Sequence, residues 1–118
     1  MNSIIFNEAG LWTDNLKLSN TEINEPLENE VQVKILARPI NPSDEMFIKG
    51  VYRQTPQFPQ IAGLEGAGVI EKTGKNLDNS LIGQHIAFRA KGTWAEKINI
   101  HTDSFRIVPK KIPFEIAC

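Results

Sequence analysis

Short extended segments, each cut off by Gly, Pro, Asn or Asp, run along almost the whole chain. No other feature narrows the available folds as much. Ser3 to Phe6 is an isoleucine-rich apolar run, and Leu16-Lys17-Leu18 alternates towards Ile23. The clearest case is Glu30 to Leu36, where Val31, Val33 and Ile35 fall on one face of a period-two pattern and Gln32 and Lys34 on the other. Gly66 to Lys72, Gly83 to Phe88, Trp94 to Ile100 and Phe105 to Val108 follow, and Asn24-Glu25-Pro26 reads as a turn. Many short strands with this punctuation predict a β-barrel or a sandwich.

One helical signal interrupts the strands. Asn41 fits an N-cap, Pro42 the first helical position, and Asp44 lies three residues after the cap. Gly50 is a natural C-terminal stop, so a helix of about two turns is expected between them. Val51-Tyr52 follows directly, and the Pro-bracketed stretch Gln54 to Gln60 reads as an irregular or extended loop. A second helix starts at Pro113, and the sequence ends five residues later at Cys118. That ending fits either a frayed terminus or a piece of a longer protein.

Composition removes several classes of function. With 118 residues the chain has room for one domain and one real core. Basic and acidic residues nearly balance, 13 against 14, so the basic excess of a nucleic-acid binder is missing and no nucleic-acid partner is expected. No apolar run approaches the ~20 residues of a membrane span, and the start lacks the basic and apolar regions of a signal peptide. The single cysteine allows no internal disulfide, and the expected location is cytoplasmic.

Metal and nucleophile chemistry find little support. The two histidines, His85 and His101, are 16 residues apart and the cysteine is terminal, so no pair has zinc-ligand spacing and no metal is expected. No Gly-x-Ser-x-Gly elbow occurs. Gly63-Leu64-Glu65-Gly66-Ala67-Gly68 has the wrong glycine order for a dinucleotide fingerprint, and it precedes a strand instead of following one. Its glycines are better explained by close backbone packing where a loop enters a strand, with Glu65 as a hydrogen-bonding anchor. Trp94 reads as core or as a cleft wall, and Lys110-Lys111 as solvated surface.

The segment from Asn41 to Tyr52 supports two accounts. One is purely structural: a capped helix, a glycine stop and a packed tyrosine. The other has Asn41 and Tyr52 flanking one cleft from opposite ends of the helix. A phenol is protonated at neutral pH and can give its proton to a developing enolate. An asparagine can hydrogen-bond a ligand with no change of charge.

Four motifs in one order carry a resemblance over nearly the whole chain: Pro39-Ile40-Asn41-Pro42-Ser43-Asp44, Gly50-Val51-Tyr52, Gly63 to Ile70, and Gly92-Thr93-Trp94-Ala95-Glu96. Together they resemble the N-terminal GroES-like catalytic domain of the medium-chain dehydrogenases/reductases, in the zinc-free branch of 2-enoyl thioester reductases and quinone oxidoreductases. The resemblance implies a mainly β, GroES-like, partly open barrel with one or two short helices, spanning residues 1–118. In the zinc alcohol dehydrogenases a cysteine stands where Asn41 is, and Gly-His-Glu where Gly63-Leu64-Glu65 is. The departures at Asn41 and Leu64 therefore imply a metal-free site.

What the resemblance implies for function is NADPH-dependent reduction of an activated C=C bond in a 2-enoyl thioester. Tyr52 would be the proton donor, and Asn41 and Tyr52 would sit by the nicotinamide. Quinone oxidoreductases share the Asn-Pro and the tyrosine, so a quinone is the alternative substrate. A non-enzymatic GroES-like binding module is the competing class. The family's Rossmann domain is expected to be absent from this chain, leaving it inactive alone, and the full-length protein is expected as a homodimer.

Overall fold

Strand alternation explains the larger of two sheets. The computed structural model describes residues 1–118, with strands β1 (Asn2–Phe6), β2 (Lys17–Asn20), β3 (Glu30–Ala37), β4 (Gln60–Ile61), β5 (Glu65–Thr73), β6 (His85–Arg89), β7 (Lys97–His101) and β8 (Phe105–Ile107). The helices are α1 (Trp12–Asn15), α2 (Pro42–Lys49) and α3 (Phe114–Ala117). One sheet has the order β7-β3-β5-β6-β8 and the other β2-β1-β4, and every pairing is antiparallel. Both sheets are open, which is the mainly β, partly open GroES-like barrel implied by the motifs. A bridge between Ser3 and Ala95, and the Ile4 N–H donated to Trp94 O at 2.9 Å, tie the small sheet to the large one.

On β3, Val31, Val33 and Ile35 are buried and Lys34 is exposed, as the alternation predicts. Gln32 departs from it, being only 2 % exposed although it lies on the polar face. Its amide nitrogen donates to Asn24 O and Asn99 Oδ1, both at 3.2 Å, so the loop before β3 and the neighbouring strand β7 supply its partners. The large sheet packs Val31, Val33, Ile70, Ile86 and Phe88 into the main core. Each such side chain contributes roughly 1.5–3 kcal/mol by leaving water.

The length of the chain predicts one core, but a second, smaller core joins the small sheet to α2. It holds Phe6, Phe47, Ile48, Ala62, Leu64 and Trp94. Phe6 meets Phe47 edge-to-face, with ring centroids 5.7 Å apart at 84°. Helix α2 has the limits its sequence predicts. Asp44 Oδ2 accepts the Asn41 backbone N–H at 2.7 Å, Pro42 occupies the first turn, and Gly50 closes the helix with φ 78°. Helix α3 begins after Pro113, and Phe114 stacks on His85 with centroids 4.6 Å apart.

Two departures have physical causes. The expected strand from Trp94 to Ile100 starts only at Lys97. Arg38 takes the Thr93 and Ala95 carbonyls, at 3.1 and 2.9 Å, that a strand would place in its ladder, and Trp94 turns into the second core. The loop from Gln54 to Gln60 ends in a two-residue strand, β4, beside β1. The four-residue helix α1 and the single turns Asn79–Leu81 and Thr102–Ser104 are too short to leave a periodic signal.

Candidate active site

The glycine-rich entry to β5 is held by close packing. Gly63 has φ 91°, and a Cβ there would run into Thr93 Oγ1 and the Trp94 ring. Gly68 passes so close to the Lys34 carbonyl that no side chain fits, beside a register shift between β3 and β5. This tight path sets Leu64 and Glu65 beneath helix α2. Leu64 joins the second core, while Glu65 is half-buried and begins β5.

Glu65 is the junction of the site. Asn41 Nδ2 donates to its Oε2 at 2.9 Å, and Arg89 Nε lies 3.0 Å from its Oε1. Arg89 reaches it because β5 and β6 place Glu65 and Arg89 directly opposite each other. The expected anchoring role of Glu65 is thus visible, and its partner Arg89 is a residue that sequence reasoning missed. Opposite charges at two strand ends become a pair only once the register is known.

Asp44 lies below this junction, 1 % exposed, with its Oδ1 lacking any hydrogen-bond partner. Burial pushes its carboxyl above the ordinary value, the nearby Glu65 charge adds to this, and the Asn41 N–H works against it. Its observed work is to cap α2.

Tyr52 follows the Gly50 stop, half-buried against the second core. It lines a cavity of about 110 Å³ with Arg53, Gln54, Leu64, Arg89 and Ala90. The Arg53 guanidinium carbon stands 5.7 Å from the Tyr52 ring centroid. The phenol makes no hydrogen bond within the chain. Asn41 is not among the residues that line this cavity. Asn41 and Tyr52 connect from the two ends of α2 through Glu65 and Arg89. Arg89 also walls a larger cavity of about 520 Å³ beside α3, formed with Phe105, Arg106 and Cys118.

Zinc takes thiolate, imidazole and carboxylate ligands, whereas at this junction Leu64 has no donor atom and Asn41 offers a neutral amide. No group of three or more His, Cys, Asp or Glu in the chain could hold a metal ion. His85 packs on Phe114, and His101 accepts the Asp103 N–H at 3.1 Å. For a dinucleotide the fit is partial. Asn41 and Tyr52 offer uncharged hydrogen-bonding groups to a nicotinamide ring. The antiparallel sheets contain no parallel βαβ unit to hold the phosphates.

This open two-sheet architecture, with its helix-capped asparagine and glycine-packed strand entry, places the chain in a known class. Residues 27–110 match the model of the alcohol dehydrogenase GroES-like domain, and the chain belongs to that family. It is 36% identical over 112 residues to the mitochondrial enoyl-acyl-carrier-protein reductase of Xenopus tropicalis, covering 93% of this chain and 32% of that protein. The human protein of the same name is 30% identical over 117 residues, covering 98% of this chain and 31% of its own length. Among solved structures, Escherichia coli quinone oxidoreductase complexed with NADPH superposes with a TM-score of 0.89 at 30% identity, over 99% of this chain and 36% of that one. The chain spans about a third of the length of the relatives it matches.

Proposed function

We propose that this chain is the substrate-side portion of a zinc-independent, NADPH-dependent reductase of activated C=C bonds, with a 2-enoyl thioester as substrate. The observation that carries the reading is Tyr52, an uncommitted phenol at the mouth of a small cavity beside the Asn41–Glu65–Arg89 chain. NADPH, when bound, supplies a hydride to the β carbon. Tyr52 gives the proton to the α carbon, and Asn41, oriented by Glu65, borders the nicotinamide. Curated relatives named enoyl-acyl-carrier-protein reductase support the substrate, and an NADPH complex among the similar structures supports the cofactor. Leu64, which has no donor atom, and the neutral amide of Asn41 support a reaction without zinc.

A quinone is the second substrate reading, favoured by the similar structure named quinone oxidoreductase. NADPH oxidation by the full-length protein, with crotonyl-CoA against a small quinone, separates the two. Faster turnover of the enoyl thioester is expected, and turnover of the quinone alone overturns the choice. The 118-residue chain by itself is expected to be inactive. An inactive full-length protein would return the chain to the class of GroES-like binding modules.

A further inference from the structure

The charge around Tyr52 does not match the rest of the molecule. The chain carries a net charge of -1, yet the cavity beside Tyr52 is lined by two arginines and no carboxylate. The nearest acid, Glu65, lies behind Arg89, with one oxygen on Arg89 Nε and the other on Asn41 Nδ2. It holds the guanidinium by one edge and leaves the two terminal nitrogens of Arg89 without a partner in the chain. Arg53 is placed over the Tyr52 ring and has no ion-pair or hydrogen-bond partner. At about 110 Å³ the cavity has room for a small polar group and not for a large apolar one.

We propose that this cavity is an oxyanion subsite. Arg89, with Arg53 across the phenol, receives the carbonyl oxygen of a conjugated carbonyl substrate as that oxygen becomes negative. The assignment rests on Tyr52 as proton donor and adds what stabilises the intermediate charge. Hydride addition forms a C–H bond at the β carbon and moves the π pair of the double bond onto the α carbon and the carbonyl oxygen. The enolate oxygen lies against the free guanidinium nitrogens. Tyr52 O–H then breaks, its proton bonds to the α carbon, the carbonyl re-forms, and the phenolate regains a proton from solvent. Fixed donors aimed at a developing charge cost no reorganisation when the charge appears. The terminal nitrogens of Arg89 and the guanidinium of Arg53 offer charged N–H donors to an oxygen that becomes anionic.

Binding without turnover tests the subsite. Tyr52 is the one tyrosine, so selective ¹³C labelling of tyrosine gives one set of ring signals in the 118-residue chain. Acetate, added at constant ionic strength, is the probe, and neutral acetamide is the control. A saturable shift with acetate alone is expected. Arg89→Gln weakens it by roughly tenfold, Arg53→Gln weakens it less, and Arg89→Lys keeps part of it. Arg53 makes no ion pair or hydrogen bond in the chain and is placed over the Tyr52 ring, so Arg53→Gln remains informative if Arg89→Gln disturbs the fold. No saturable acetate shift, or one that survives both glutamine variants, overturns the proposal. Acetate binding in a protein that reduces no enoyl thioester supports the subsite and counts against the proton-donor reading alone.

Discussion

Asn41 and Glu65, 24 residues apart, are joined by a hydrogen bond of 2.9 Å from the side-chain amide to the carboxylate. Glu65 carries Arg89 on its other oxygen at 3.0 Å. One residue thus sets the orientation of both the helix-capping asparagine and the arginine beside Tyr52. Glu65→Ala should release Asn41 and Arg89 together and lower stability by about 1–2 kcal/mol, because the ion pair is partly exposed and the amide loses its acceptor. Urea unfolding measures the loss. A variant as stable as the parent would show that neither contact is maintained in solution.

Tyr52→Phe separates fold from chemistry. The phenol hydroxyl has no partner in the chain and the ring is kept, so the melting temperature should stay within about two degrees of the parent, a change of about 0.5 kcal/mol or less. In the full-length protein, enoyl reduction should fall by about 10²-fold or more, the usual contribution of a positioned proton donor. Equal kcat in the two proteins would make Tyr52 a packing residue.

Asp44 makes stability depend on pH in the direction opposite to most carboxylates. Its folded pKa is raised above the ordinary 3.8, chiefly by burial, so the folded state binds the proton more tightly than the unfolded chain. Its contribution is therefore fully present below the unfolded value and is lost as pH rises through the folded value. Asp44→Asn removes this dependence. The urea midpoint of the parent, taken relative to that variant, should decline as pH rises from below about 3.8 towards neutrality. A constant difference across that range contradicts the burial of Asp44.

Gly63→Ala should damage the fold more than Gly50→Ala. It places a methyl group against Thr93 Oγ1 and the Trp94 ring at φ 91°, a backbone angle that side chains rarely adopt. A loss of about 2–3 kcal/mol is expected, with a change in Trp94 fluorescence. Gly50→Ala, at φ 78° with a looser surrounding, should cost about 1 kcal/mol. The reverse order would remove the packing explanation of the glycine motif.

Local signals carried most of the fold. Alternation in β3 and the Asn41-Pro42…Gly50 punctuation of α2 act within a few residues, and the structure follows both. What lay beyond reading depended on pairs distant in sequence. Arg38 takes carbonyls at Thr93 and Ala95, Gln32 finds Asn99, and Arg89 meets Glu65 through register. The same limit divides the site. Tyr52 and Asn41 stand out by motif, but their connection through Glu65 and Arg89 exists only after two strands have paired.

The division into two cores sets how the molecule comes apart. The larger sheet carries most of the buried branched side chains, while α2, Tyr52 and the Gly63 turn depend on the six-residue cluster around Phe6 and Trp94. Local opening takes its free energy from the contacts it breaks, so the smaller cluster opens more often. Amide protons of α2 and β1 should exchange with deuterium well before those of β3 and β5. The lifetime of the site is therefore shorter than the lifetime of the fold, and denaturant below the main transition should dissolve the Tyr52 cavity while the large sheet still stands.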